Sequence, residues 1–249
     1  LGGCFASIGK TDLAIENYQK ALEFEPEYAI PKHMLNSLMG HTSKEPPKEY
    51  VKNLFDDYAY RFNDSLVNNL QYNLPFIIKD LMLRSNSEKS EYKNVIDLGC
   101  GTGLAGKSLR DISSHLTGID ISENMISEAL KLDIYDNLIV GDIVETLSSS
   151  QEKFDLLVAL DVLIYIGDAL STFQAVRKSC KSDSLFVFSV EIQEEDGYSL
   201  LKSSRYGHSD RYIMDQTAEI FDLVDSQNVR LRKEGDNWIN GKVYVFRPI

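Results

Sequence analysis

Cysteine is scarce: three thiols, Cys4, Cys100 and Cys180, are spread over 249 residues. An odd number at such spacing excludes a disulfide framework, and no group of residues shows metal-ligand spacing, so no metal is expected. Positive charge is also in deficit, with 26 Lys and Arg against 38 Asp and Glu and a formal net charge of −12. Proteins that grip nucleic acid rely on clustered Lys and Arg, so nucleic acid is not an expected partner. No window approaches ~18 uninterrupted apolar residues, which argues against a membrane span. The first residues lack the basic-then-apolar order of a secretory signal. Reduced thiols and the absence of such signals make the cytoplasm the expected location. Leu1 rather than Met opens the chain, which points to residues removed upstream. What is present, 43% hydrophobic and 26% charged residues, suffices for an ordinary buried core.

The chain divides by pattern into four stretches. Residues 1–40 are helical: Thr11 or Asp12 can cap a run ending near Glu25, with Leu13, Ala14, Tyr18, Ala21 and Leu22 on one face. A second run from Ala29 stops at Gly40, a plausible C′ glycine. Residues 41–48, HTSKEPPK, read as a linker. Residues 49–93 carry a helical pattern broken near Pro75 and end in the polar stretch 85–93. From residue 94 to 249 the period changes. The β-branched runs NVIDL, HLTGI, NLIV, FDLLVAL and SLFVFSV alternate with helical stretches, among them 104–112, 122–131, 168–181 and 209–224. That alternation predicts an α/β fold with a doubly wound, mostly parallel sheet. Val229–Glu234 and Lys242–Phe246, joined through GDNWING, read as a closing antiparallel hairpin.

Three motifs overlap in VIDLGCGTGLAGKS, residues 95–108. Gly101-x-Gly103-x-x-Gly106 satisfies a dinucleotide fingerprint; Gly101, Gly106, Lys107 and Ser108 satisfy a phosphate-binding P-loop. Gly99-x-Gly101-x-Gly103, with Asp97 two residues earlier, is the loop that S-adenosylmethionine enzymes place after their first strand. Electrostatics ranks them. A phosphate at the loop would be opposed by Asp97; unit charges ~4 Å apart interact by about 4 kcal/mol at an effective dielectric near 20. S-adenosylmethionine instead carries a sulfonium and an ammonium. The P-loop has a further difficulty, because Gly99 and Cys100 intervene where its glycine should end the strand. FDLLVALD, ending at Asp161, nevertheless resembles a Walker B strand. Asp120 ends the second strand, where its two oxygens can accept both ribose hydroxyls, a role a dinucleotide would share. Asp142 ends the third, placed to accept from an adenine amino group. The neighbouring Ile143 amide faces a ring nitrogen in this reading, and Ile121 covers an adenine face. The bland alternative is that Asp120 and Asp142 cap the following helices.

Together VIDLGCGTG, LTGIDIS, IVGDI and FDLLVALDVLIYIGD resemble the class I S-adenosylmethionine-dependent methyltransferases over essentially all of residues 90–249. The resemblance implies a Rossmann-like sheet, S-adenosylmethionine as cofactor, and a cofactor set of Asp97, Gly99, Gly101, Gly103, Asp120, Ile121, Asp142, Ile143 and Leu160. Leu1, Gly2, Phe5, Gly9, Ala14, Tyr18, Ala21 and Pro26 match the tetratricopeptide (TPR) pattern. YVKNLFDDYAYRFNDSL resembles the segment preceding the sheet in TPR-linked predicted methyltransferases, with Asn63 in place of the usual Asp. One incomplete repeat cannot stand alone, so contact with the sheet domain, a partner protein, a second copy or upstream repeats is expected.

Phe55, Tyr58 and Phe62 share a helical face that is either ordinary packing or a lid. As a lid, its Tyr58 hydroxyl, or Arg61 one turn on, would reach the cofactor carboxylate. The acceptor, a small molecule or protein side chain, is expected beyond strands four and five. Tyr165, Arg205, Tyr206 and Tyr212 are the candidate substrate residues. His208 or Glu191 is the candidate general base, and Arg205 the candidate partner of an anionic acceptor group. A non-catalytic cofactor-binding scaffold and a P-loop hydrolase are the competing functions.

Overall fold

A computed structural model describes residues 1–62, 72–85, 91–234 and 237–249, the side chain of Arg61 excepted. The chain opens with α1 (Gly2–Ser7), α2 (Thr11–Phe24) and α3 (Ala29–Met39). Gly2 lies against the Tyr18 ring, so close that a Cβ there would stand 2.7 Å from it. The helix α2 begins after Lys10 without a side-chain cap, so neither Thr11 nor Asp12 caps it. Gly40 ends α3 at φ 73°, the left-handed geometry expected of a C′ glycine.

The stretch 41–47, within the expected linker, is bonded along its length to distant residues. Thr42 Oγ1 accepts from Leu200 N at 3.1 Å, Ser43 Oγ lies 2.8 Å from Tyr206 Oη, and Lys44 O accepts from Asp168 N at 2.7 Å. These bonds pin it across the surface of the sheet-containing part of the chain, because a polar chain crossing protein must satisfy its amides and carbonyls locally. Then come α4 (Lys48–Tyr58), a short 3-10 turn (Ala59–Arg61) and α5 (Leu74–Ser85). The break expected near Pro75 falls at residues 72–73, which are not helical, and Pro75 sits in the first turn of α5, where its missing N–H costs nothing.

The remaining elements alternate: β1 (Tyr92–Leu98), α6 (Leu104–Leu109), β2 (Ser113–Asp120), α7 (Glu123–Leu130), β3 (Asn137–Val140), α8 (Ile143–Ser149), β4 (Phe154–Ala159), α9 (Leu170–Ser179) and β5 (Cys180–Ile192). Strands β6 (Tyr198–Leu200) and β7 (Tyr206–His208), α10 (Asp210–Thr217), β8 (Phe221–Glu234) and β9 (Asn237–Pro248) complete the fold. Strand order is β3-β2-β1-β4-β5 in parallel, with β9 antiparallel beside β5 and β8 outside it. The hairpin is longer than its apolar core suggests. It begins at Phe221, inside the stretch expected to be helical, and WING belongs to β9.

Each face of the sheet buries its own apolar set, as alternating side chains require. Ile96, Leu98, Phe186, Phe188 and Phe246 pack on one face under α9. Val95, Leu116, Leu156, Val187 and Val245 pack on the other under α5 and α6. Strand β5 outruns β4, and Glu191 has Gly241 of β9 on one side and Gly207 of β7 on the other. The short β6–β7 hairpin thereby fills the space beyond the carboxyl end of β4, next to the topological switch point between β1 and β4. A ligand site is expected at that rim.

One close approach tests how the 41–47 strap is held. A Cβ on Gly167 would stand 2.4 Å from Lys44 O and 2.7 Å from the Tyr206 ring. Gly167→Ala is expected to cost about 1–3 kcal/mol. Urea unfolding reads the lost stability, and limited proteolysis reads faster cleavage within 41–47.

Candidate functional site

The loop from β1 into α6 needs glycine for geometric reasons. Gly99, Gly101 and Gly103 have φ of 69°, 53° and 89°, values that side chains disfavour. Gly99 is doubly constrained, because a Cβ there would stand 2.4 Å from Val162 Cγ2. The residues after β4 thus lie directly on the glycine loop.

Asp120, at the end of β2, is locked by backbone donors. Gly101 N donates to its Oδ2 at 2.8 Å and Ser122 N to its Oδ1 at 2.9 Å. Asp97 is buried beneath the loop and accepts from the Tyr135 hydroxyl at 2.7 Å. Burial raises both carboxyls, Asp97 to about 7 and Asp120 to about 6; in Asp97 the Tyr135 bond opposes the rise, in Asp120 the backbone bonds do. No lysine or arginine pairs with either among the described residues. Asp142 does cap α8, accepting from Glu145 N at 3.0 Å, and also lies 3.3 Å from Lys48 Nζ. Capping and cavity lining coexist at that residue.

These groups surround one cavity of about 390 Å³. Of the cofactor residues expected from sequence, Asp97, Gly99, Gly101, Asp120, Ile121, Asp142, Ile143, Leu160 and Tyr58 line it. Gly103 does not; its left-handed conformation caps α6. The expectation for Arg61 concerns a side chain outside the described residues, as does that for Asn63. Lys107 is exposed on α6 and does not line the cavity, which removes the group a P-loop would need.

The helix α4 lines the cavity through Lys48, Val51, Leu54, Phe55 and Tyr58. Asp56 Oδ1 accepts from Ser122 Oγ at 2.6 Å, and Asn124 Nδ2 donates to Asp56 O at 3.1 Å, which ties α4 to the start of α7. Phe55 meets Tyr165 edge-on at 5.0 Å, and Tyr58 meets Phe62 edge-on at 5.6 Å.

On the acceptor side the expectations divide. Tyr165 and Arg205 line the cavity. Tyr206 does not: it is fully buried with its hydroxyl on Ser43. Tyr212 is turned to the β4–α9 connection, where its hydroxyl accepts from Ala169 N and donates to Asp168 Oδ1. His208 is a correction. It is wholly buried behind the cavity, Nε2 donates to Gly167 O at 3.0 Å, and desolvation lowers it to about 4. Glu191 is a second correction. It lies outside the cavity lining and accepts from Arg232 Nη2 at 2.8 Å. Neither group is placed to take a proton from a molecule in the cavity.

Arg232 lines the cavity and is absent from the sequence expectations. Strict alternation puts it on the face of exposed Arg230, but the ladder slips between those residues, from Arg230↔Asn240 to Arg232↔Ile239. The bulge buries Leu231 and Arg232 together. Tyr135, the partner of Asp97, was missed because it lies in an irregular stretch 38 residues away.

The raised carboxyls carry a stability consequence. Asp97 holds a proton when folded at pH values where the unfolded chain has lost it. Its contribution to stability therefore falls as pH rises from the ordinary 3.8 towards about 7. Asp97→Asn, which cannot ionise, is expected to flatten that part of the fall; urea midpoints of both proteins across the range check it.

Similarity to known proteins agrees with this geometry. The bovine 18S rRNA (guanine-N(7))-methyltransferase is 34% identical over 94 residues, 37% of this chain and 34% of that protein. The chain thus spans about a third of that relative's length. The ubiquinone biosynthesis O-methyltransferase of Actinobacillus pleuropneumoniae serotype 7 (strain AP76) is 26% identical over 173 residues, 63% of this chain and 71% of that protein. Among solved structures, magnesium protoporphyrin IX methyltransferase from Synechocystis PCC 6803 with bound S-adenosylhomocysteine shares the fold at TM-score 0.60. Its identity is 16%, with 80% of this chain and 98% of that one covered. The N-methyltransferase NodS from Bradyrhizobium japonicum WM9, in complex with S-adenosylhomocysteine, aligns at TM-score 0.55 and 19% identity, covering 68% and 84%. Residues 89–228 match the methyltransferase-domain family, and the chain belongs to that family, which uses S-adenosylmethionine.

Proposed function

We propose that this chain transfers a methyl group from S-adenosylmethionine to a small-molecule or protein acceptor. The observation that carries the reading is the pair Asp97 and Asp120, buried beside the glycine loop with no lysine or arginine among the described residues to compensate them. A cationic ligand relieves that cost, whereas a phosphate-bearing one increases it. Asp120, oriented by two backbone amides, is the proposed ribose partner; Asp142 and the Ile143 amide are proposed for the adenine, and Tyr58 for the amino-acid end. S-adenosylmethionine, when bound, supplies an already activated methyl electrophile. The chain's share is orientation and the exclusion of water, to which α4 contributes by lining the cavity. The names of the relatives include both an O- and an N-methyltransferase, so they leave the acceptor atom open.

The same reading extends to the rest of the chain. Residues 1–40 are proposed as a TPR-like segment, supported by the close packing of Gly2 on Tyr18. It is proposed to meet a partner protein or a second copy. Residues 41–48 form the connection, 49–93 the cover and 94–249 the methyltransferase domain. A cytoplasmic location is proposed on the three free thiols; no helix of the described residues is long and apolar enough to cross a membrane.

Thermal unfolding tests the cofactor. S-adenosylmethionine and S-adenosylhomocysteine at ~100 times their dissociation constants are expected to add ~2.7 kcal/mol, and Mg-ATP or NADH nothing. Stabilisation by Mg-ATP alone would sink the reading. Asp120→Ala is expected to weaken S-adenosylmethionine by about tenfold or more, through loss of charged hydrogen bonds of roughly 1.5–3 kcal/mol. Lys107→Ala should leave it unchanged. A cation favours the ionised forms of Asp97 and Asp120, so calorimetric affinity should rise with pH through the interval from about 6 to about 7. Binding without S-adenosylhomocysteine formation on any acceptor would favour a non-catalytic scaffold.

A further inference from the structure

The wall of the cavity beyond β4 holds a second group of buried charges. Asp161 follows β4 at φ 53°, one of three non-glycine residues with positive φ among the described residues. Such backbone is costly and persists where surroundings impose it, often at functional sites. Its amide donates to Ser189 Oγ at 2.8 Å, and the residue lines the cavity. The next residue, Val162, is the one pressed against Gly99, so Asp161 stands beside the loop assigned to the cofactor. Arg232 Nη1 lies 3.6 Å from Asp161 Oδ2, while Arg232 Nη2 serves Glu191 at 2.8 Å and Glu234 at 3.5 Å. Arg205 donates from Nη1 to Glu234 and from Nε to the Tyr165 hydroxyl at 3.3 Å.

Charge balance in this group constrains the acceptor. Two guanidinium groups, Arg205 and Arg232, face three carboxyl groups, Asp161, Glu191 and Glu234. Glu191 stays ionised despite burial, because a proton on it would leave the Arg232 guanidinium, 3% exposed, without its nearest counter-charge. Among the described residues each arginine therefore has a carboxylate partner, although the buried Nε and Nη1 of Arg232 make no hydrogen bond. An anionic acceptor would enter a wall where, among the described residues, three carboxyl groups face two guanidinium groups, against the expectation for Arg205 from sequence. The Asp161 carboxylate is held only loosely by the described residues: Ser189 Oγ donates to Oδ1 at a long 3.5 Å, and Arg232 Nη1 lies 3.6 Å from Oδ2. Burial raises its pKa, with Arg232 and then Arg205 opposing, so it can hold a proton above the usual carboxylate range. Ser189 and Glu191 face it from β5, Arg232 and Glu234 from β8, Arg205 and Tyr165 from the adjoining loops, and Tyr72 and Asp97 from the glycine-loop side.

We infer that Asp161 is the proton acceptor of this site, positioned by Arg232, and that the acceptor enters as a neutral hydroxyl carried on an apolar, aromatic body. The proposal rests on the methyltransferase reading. As the acceptor oxygen forms its bond to the methyl carbon, the S–CH3 bond breaks and its electron pair goes to sulfur, leaving a neutral thioether. The hydroxyl proton passes to Asp161 and leaves to water with the product. Phe55 and Tyr165, edge-on at 5.0 Å, and Leu54 and Ile164 supply the apolar walls for the ring.

The probe is 4-nitrophenol, whose neutral and ionised forms absorb differently. It is titrated on the full chain with and without S-adenosylhomocysteine, whose own binding is followed by calorimetry. The bound phenol is expected to ionise at higher pH than the free one, because Asp161 shares its proton and disfavours the phenolate. Asp161→Asn keeps the shape and suits positive φ. It should lower the ionisation pH of the bound phenol, raising its ionisation constant by about tenfold, one pKa unit. S-adenosylhomocysteine affinity should not change. Arg232→Met should move the bound phenol further up. A wild-type site that binds the phenolate preferentially, no change in Asp161→Asn, or no binding of the probe at millimolar concentration overturns the inference. Failure of S-adenosylhomocysteine to bind the wild-type chain instead overturns the cofactor reading, whatever the phenol does.

Discussion

Asp97 and Asp120 are buried against one glycine loop with hydrogen bonds but, among the described residues, no counter-ion, and the cavity is organised around that deficit of positive charge. Backbone amides and one tyrosine hydroxyl hold the carboxylates in place without neutralising them. That division matters, because a lysine at the same place would stabilise the ligand-free protein and compete with a cationic ligand. The three left-handed glycines let the loop turn over Asp97 and let Val162 close on it from β4. Fold and electrostatics meet at the switch point between β1 and β4.

The opposite wall works by a different balance. There the buried carboxylates have guanidinium partners, and Arg232 joins Asp161 after β4, Glu191 of β5 and Glu234 of its own strand. Between these walls lies the aromatic face of α4, tied to α7 through Asp56. One end of the cavity is short of positive charge and the other is internally compensated. A cation at the first and a neutral molecule at the second satisfy both.

Most of the parallel sheet was legible from sequence because buried strands read as short β-branched runs, and the loop because glycine spacing reports backbone geometry. Asp120 and Asp142 were legible as strand-end carboxylates. The hairpin was only half legible, since Phe221–Val224 and WING carry no clear alternation of their own. His208 and Tyr206 were misplaced for a physical reason. A dense polar run ahead of a helix looks solvent-facing, but pairing of β7 with β5 draws both residues into the core. The 41–47 stretch likewise looked like a linker because its contacts are made by distant partners.

Local chemistry therefore determined the α/β class, the glycine loop and the acidic character of the cofactor end. Those depend on residues within a strand and the turn that follows it. Tertiary structure decided the acceptor wall. A bulge in β8 turned Arg232 inward, and β5 running past β4 gave β7 an edge on which to bury His208. Register and burial are properties of paired strands, and neither is encoded in the spacing of one strand alone.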